Sequence, residues 1–379
     1  MKRFSIILLL ILMDLAALNA QNLLTNDNSL VAIDANVPFT IQGSVMNSGT
    51  ILNEGALRLL GDWDNSGDYN SVSGTFSLLG ENQIFTPGDS EYAHLAINST
   101  GVAVTSGLVI TKSLELINGI VSLTPDATLL LNNEASITGG NSSSYIDGAL
   151  FISPRESFDF PVGSETEYLP VTLSSIESED SIGVQAFSSE IESTISSELD
   201  SFSPNRHWVL MGNDGFSVES ISLPIKNETF IETEDEAVVA FTADLNDPLK
   251  IMGVPLVSGD LNEGIITSSG RIIAGYYVLA DQSVGGPPIT VINVVTSLQD
   301  GKHDFLRIEN IEFYENNLVE IYDRQGVKVF KMTGYNNQDR VFRGKANVGS
   351  RGMLETGSYY FTIQLTGSKR EAGFVYVKN

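Results

Sequence analysis

The sequence predicts an all-β chain: a β-solenoid-like repeat region, a β-sandwich middle domain and a small antiparallel β-sandwich at the C-terminal end. Three observations carry this. From about Asn36 to Ile152, short apolar triplets recur among Gly, Asn and Ser with almost no helical period. From Pro154 to about Gln282, short apolar runs are punctuated by Gly and Pro. From about Ile289 to Asn379, apolar and polar residues alternate on either side of a Gly-containing turn.

In chain order, Lys2 and Arg3 precede an apolar run from Ile6 to Met13 that weakens through Leu18 to small residues near Ala20. This reads as a secretory signal peptide over residues 1–20, with a mature chain beginning near Gln21. Asp14 breaks the run too early for a membrane span, so no transmembrane span is expected in the mature chain. The chain has no Cys. A lipoprotein anchor, a disulfide framework, a thiol nucleophile and a thiolate metal site are therefore not expected. At 379 residues, two or three domains with sizeable cores can form.

Residues 21–152 are expected to form the solenoid. The triplets beginning at Leu57, Phe76, Leu95 and Leu114 recur at an offset of 19, and each middle residue would face away from its neighbours, as a half-buried strand requires. Leu129-Leu130-Leu131 and Leu150-Phe151-Ile152 lie 21 apart, but 129 follows 114 by only 15, so the register slips. Asn47-Ser48-Gly49, Asn53-Glu54-Gly55 and Asn65-Ser66-Gly67 supply turn signals. A period near 20 suggests stacked coils. An antiparallel sandwich of hairpins is the alternative.

Residues 153–282 hold short strand-like segments around Phe158, Tyr168, Asn205, Ala237 and Gly275, which suggest a β-sandwich. Ser283 to Pro288, rich in Gly and Pro, reads as a linker over residues 283–288. In residues 289–379, Val319–Tyr322 and Val327–Phe330 alternate around Asp323-Arg324-Gln325-Gly326, a hairpin, and Tyr359–Leu365 and Phe374–Val377 add two strands. Gly301, Gly326 and Gly357 read as turn residues.

This last region also carries an ordered set of short motifs. They are Asp300-Gly301-Lys302-His303-Asp304-Phe305, Arg324-Gln325-Gly326, Gly334-Tyr335, and Leu354-Glu355-Thr356-Gly357-Ser358-Tyr359-Tyr360. In order and spacing they resemble the type B C-terminal sorting domain of the type IX secretion system, also called the gliding-motility-associated C-terminal domain, found on exported proteins of Bacteroidota. The sequence departs from that pattern at Gln325, His303, Glu355 and Phe342-Arg343-Gly344. The resemblance assigns sorting-motif positions to Asp300, Gly301, Asp304, Phe305, Arg324, Gly326, Gly334, Tyr335, Leu354, Gly357, Tyr359 and Tyr360. It implies two partners, the type IX translocon and an outer-membrane component that holds type B cargo, and a location that is secreted or on the outer cell surface, reached through the periplasm. The Phe160-Pro161-Val162-Gly163 and Arg206-His207-Trp208 segments look like ones that follow β-rich repeats in other large exported Bacteroidota proteins.

Charge divides the chain. Residues 21–288 hold 7 Lys and Arg against 36 Asp and Glu, a net of −29, whereas residues 289–379 hold 12 against 10, a net of +2. An acidic field disfavours nucleic acid and anionic lipid. It suits solubility and loose association with cations such as calcium, on an exported surface expected to touch glycans or a cell-surface ligand.

Catalytic signatures are sparse. The three His residues, His94, His207 and His303, fall in three different expected domains, and none accompanies a Gly-x-Ser-x-Gly elbow. Metalloprotease, phosphate-loop and dinucleotide motifs are missing from the sequence. The expectation is a non-enzymatic structural or adhesive protein without a cofactor. The competing class is an exported polysaccharide lyase or glycosidase, to be recognised by a cleft with two converging carboxylates and a basic or aromatic neighbour. Residues 36–152 contain only Arg58 and Lys112 as basic groups, few for a lyase. For calcium, Asp62, Asp64 and Ser66 before Gly67 match the first half of an EF-hand loop, but Ser73 stands where its closing Glu belongs. Asp300, Gly301 and Asp304 form a second calcium candidate. A solvent-facing turn accounts for either set.

Overall fold

The computed structural model describes residues 23–379 apart from 133–134, 166, 214, 232, 283–288, 297, 299–300, 315–316, 350–351 and 366–369. The signal peptide expected at 1–20 and the linker expected at 283–288 lie outside the described residues. The chain divides into two compact units, Met1–Ser153 and Pro154–Asn379.

The first unit is a parallel β-solenoid with three strands per coil. One ladder carries the 19-residue series: Phe39, Leu57, Phe76, Leu95, Leu114 and Ile137 lie rung upon rung. A second pairs Leu24, Val45, Trp63, Phe85, Val104 and Leu123. The third runs Val31, Ile51 and Tyr69, then Tyr92, Ile110, Leu131 and Ile152. Its two halves are joined by the stacked rings of Tyr69 and Tyr92, 4.7 Å apart. At the spacing of paired strands, about 4.8 Å, seven coils rise about 30 Å. Parallel pairing rules out the hairpin alternative.

The register slip read from the sequence dissolves here. Leu129–Leu131 and Leu150–Ile152 do not continue the first ladder; they stack on Leu108–Ile110 in the third. The first ladder instead continues at Ser136–Gly139. Two ladders had been read as one.

Coil corners explain the Asn-x-Gly signals. Asn26 donates from Nδ2 to Oδ1 of Asn47 at 2.7 Å, Asn47 does the same to Asn65 at 2.7 Å, and Asn65 donates to the Pro87 carbonyl at 2.9 Å. All three Asn side chains are buried. A buried amide must be hydrogen-bonded on both its ends, and a stack of identical amides achieves this by repetition. The glycine two residues on is dictated by coil spacing, because a Cβ on Gly67 would sit 2.2 Å from the Gly49 carbonyl oxygen. Between the ladders, Trp63 packs edge-on against Tyr69 and Phe76 and donates from Nε1 to the Tyr92 hydroxyl at 2.8 Å.

In the second unit, Ser157–Phe160, Val171–Glu177, Ser217–Pro224, Ile265–Ile272 and Val254–Ser258 form one antiparallel sheet in that order. Ile182–Phe187, His207–Met211, Gly275–Gln282, Ala237–Thr242 and Lys250–Ile251 are antiparallel neighbours in another. Ala237–Thr242 packs over Val254–Ser258 and Ile265–Ile272. Residues beyond 289 build a separate core. There Val294–Thr296, Arg370–Lys378, Gly357–Gln364, Leu318–Tyr322 and Lys328–Thr333 form a five-stranded sheet, antiparallel except where Val294–Thr296 joins in parallel. A ribbon of Thr290–Ile292 and Arg307–Glu309 accompanies it. The inward face of that sheet buries Val319, Ile321, Phe361, Ile363, Val375 and Val377.

Candidate functional site

The described C-terminal motif residues, Tyr360 aside, fall into three places rather than one cleft. The first is a hairpin end. Asp323 accepts the N–H groups of Gln325 and Val327 on its carboxylate, both at 2.9 Å, and Gly326 takes φ +79°, which closes the turn. Arg324 reaches back across the sheet to Gly357, where an added Cβ would meet its Nη2 at 2.7 Å; the bare glycine leaves room for the guanidinium. Tyr359 packs against the core from the same end, with its hydroxyl donating to the Glu355 carbonyl at 3.1 Å. Burial and the neighbouring Glu355 and Asp323 push that hydroxyl up. Leu354 is half-buried against the core, its carbonyl accepting from the Asn379 side chain at 2.9 Å.

The second place is interior. Tyr335 is buried, its hydroxyl donating to the Leu306 carbonyl and accepting from the Phe342 N–H at 2.9 Å, and burial raises its pKa. Gly334 donates to the Asn317 carbonyl at 2.7 Å. Asn317, which sequence reasoning missed, donates to the Tyr314 and Tyr335 carbonyls at 2.7 and 2.9 Å and accepts the Tyr335 N–H at 2.8 Å. Nothing in Asn316-Asn317-Leu318 separates this buried clamp from an ordinary turn residue.

The third place is the 301–305 loop. Asp304 accepts the Gly301 N–H at 3.1 Å, and Phe305 packs on the core with the Arg343 guanidinium 5.5 Å from its ring centre. Asp300 lies outside the described residues. Tyr360 stands apart from all of these, pointing outward and 55% exposed.

The calcium candidate in the solenoid does not assemble as a loop. Asp62 accepts the Ile84 N–H at 2.8 Å, Asp64 lies outward on the strand Trp63–Asn65, and Ser66 bonds the Asn47 carbonyl at 3.3 Å. The extended backbone strings Asp62, Asp64 and Ser66 along one outward side, about 7 Å between successive members, instead of wrapping them round a single point. Among the described residues, no three His, Cys, Asp or Glu gather to hold a metal.

A polar cleft of about 400 Å³ opens in the middle region, lined by Glu167, Ser203, Asn205, Arg206, Glu228 and Phe230 among others. Arg206 sits between two carboxylates. It donates from Nε and Nη2 to Glu167 at 2.8 and 2.7 Å, and from Nη1 to Glu228 at 2.8 Å. The guanidinium holds the Glu167 carboxyl below its ordinary range. Next to it, Trp208 donates to the Leu169 carbonyl at 3.0 Å, so residues 206–208 and 167–169 are one joined structure. The sequence showed the Arg-x-Trp segment; it gave no sign that glutamates 39 and 22 residues away would close on it. His207 begins its strand with its ring stacked on Phe187 at 4.7 Å, and His94 shares a 2.7 Å hydrogen bond with Ser113 in the solenoid. His94 thus meets a serine hydroxyl, but the charge that acts on its ring is that of Lys112 rather than of an orienting carboxylate.

Residues 289–377 match the family model CHU_C, the type IX secretion signal domain. No curated protein and no solved structure matches the chain. The match covers the C-terminal core described above, and it implies export across the outer membrane and interaction with the secretion system. No helix among the described residues is long and apolar enough to cross a membrane.

Proposed function

We propose that this chain is a structural or adhesive protein, secreted or held on the outer cell surface, whose C-terminal domain engages the type IX translocon and an outer-membrane cargo partner. The observation that supports this most is the pairing of a type IX signal domain with a solenoid whose ladders run through about seven coils. Such a coil stack is a regular scaffold that presents an acidic outer surface, suited to contacts with glycans or neighbouring cells.

The competing reading, an exported glycosidase or lyase, draws on the Glu167–Arg206–Glu228 cleft. Its chemistry weighs against that reading. A glycosidase needs one carboxylic acid kept protonated and space between the two groups for the scissile bond. Here Glu167 is held ionised, and the guanidinium occupies the gap. The test is to incubate the purified protein with a panel of polysaccharides and to compare adhesion of cells carrying the full chain or a chain lacking residues 23–153. Adhesion that falls on deletion, without release of reducing ends, supports the proposal. Reducing-end release that disappears in Glu228→Gln contradicts it.

A further inference from the structure

We propose that the outward face of the C-terminal five-stranded sheet, centred on Tyr360, Phe374 and Tyr376, is the surface that docks on the secretion machinery, and that its partner presents an apolar patch rimmed by carboxylates. This rests on the reading of the domain as a type IX signal.

The two faces of this sheet differ in a way that folding does not explain. Its inward face fills a core with aliphatic residues and Phe361. Its outward face carries Tyr360, Phe374 and Tyr376 at 55, 54 and 41% exposure. Strand register places them together: Tyr360 lies opposite Tyr322 on one side and Phe374 on the other, and Tyr376 lies opposite Ser358, the next outward position. Lys328 extends the row beyond Tyr322. Cross-strand aromatic pairs held in water each contribute only modestly to the sheet, whereas Tyr and Phe are enriched at the centres of protein interfaces and clustered exposed apolar patches mark interaction sites. The contrast is sharpest within one motif. Tyr359 packs inward and is explained by the core; its neighbour Tyr360 points outward and is not.

Charge selects the partner. Outward positions on these strands include Lys328, Lys331, Arg370 and Lys378, against the single carboxylate of Glu320, which bonds Lys328 at 2.6 Å and lies 3.6 Å from Lys331. The face is thus cationic in a chain of net charge −26. Aromatic groups ringed by Lys and Arg suit an apolar surface edged with Asp and Glu. A second copy of this acidic chain is the rival occupant.

The experiment uses the full chain in a host with a working type IX system. Three forms are compared with the unaltered chain: one with Tyr360→Ser, Phe374→Ser and Tyr376→Ser together, one with Arg370→Glu and Lys378→Glu, and one lacking residues 289–379. Export is read as the protease-accessible or medium fraction, and thermal melting of the purified proteins checks folding. Loss of a central aromatic cluster is expected to lower export about tenfold or more with the melting temperature kept. The charge reversal is expected to lower it by a smaller factor. If the serine form fails to fold, the charge-reversed form decides. Normal export of the altered forms, with export abolished by the deletion, overturns the assignment of this face but leaves the signal domain standing. Normal export of the deleted form overturns the reading of the domain itself. Concentration-dependent self-association of the purified chain that the serine substitutions remove, with export unchanged, assigns the face to a second copy and overturns the proposal.

Discussion

In residues 23–153 the buried side chains of the ladders rest on counterparts one coil away, whereas beyond residue 289 the core joins Val295, Leu306, Tyr335, Phe361 and Val377 from scattered parts of the sequence. The solenoid repeats one local solution, so its stability is roughly a sum of coil terms and neighbour contacts. The C-terminal domain depends on contacts between distant segments, and one broken clamp is felt across its whole core. Damage should therefore stay within the unit where it is made, and should differ in how far it spreads inside that unit.

The largest expected effect is Trp63→Ala. This fully buried indole sits among Tyr69, Phe76 and Tyr92, and truncation should cost about 3–5 kcal/mol. Chemical denaturation followed by hydrogen exchange should show loss of protection around the coils that contain residue 63, with amides in 318–364 unchanged. Spread of the loss into the C-terminal sheet would break the comparison. Asn47→Ala comes next, because it removes the middle amide of the ladder and strands Asn26 and Asn65, at a cost of about 2–3 kcal/mol. Asn47→Asp is a sharper version: a carboxylate still accepts from Asn26 but donates nothing to Asn65, so it should also destabilise at neutral pH.

In the C-terminal domain, Tyr335→Phe keeps the ring and removes the hydroxyl that links Leu306 to Phe342. A loss of about 1–2 kcal/mol is expected, seen as a lower denaturation midpoint of that domain alone. The smallest effect concerns pH in the middle region. Burial holds the His207 imidazole below its ordinary pKa, so the unfolded chain binds a proton more readily than the folded one. Its contribution is present above the unfolded value, about 6.5, and is lost as the pH falls below it. His207→Gln should flatten the stability curve below about pH 6.5. An unchanged slope would remove this histidine from the account.

What could be read in the sequence follows the same division. The 19-residue series at 57, 76, 95 and 114 is a ladder written directly in the chain, since parallel coils turn sequence offset into spatial contact. The misreading at Leu129 arose because a three-strand coil interleaves three such series, and a triplet alone does not say which one it joins. In the C-terminal domain the hairpin around Gly326 was legible because a turn is local. The Asn317 clamp and the Arg324–Gly357 contact were not, because their partners lie 18 and 33 residues away and nothing in either segment names the other. The cleft around Arg206 shares that difficulty.

The central claim, that this chain reaches the cell exterior through its C-terminal type IX signal, is tested most directly by following the full-length protein in two hosts that differ only in whether the type IX translocon works. Surface protease accessibility and the medium fraction are measured in both. The account predicts protein on the surface or in the medium when the translocon is intact, and retention in the periplasm when it is not. Equal surface exposure in the two hosts, or retention in the periplasm in both, would contradict it.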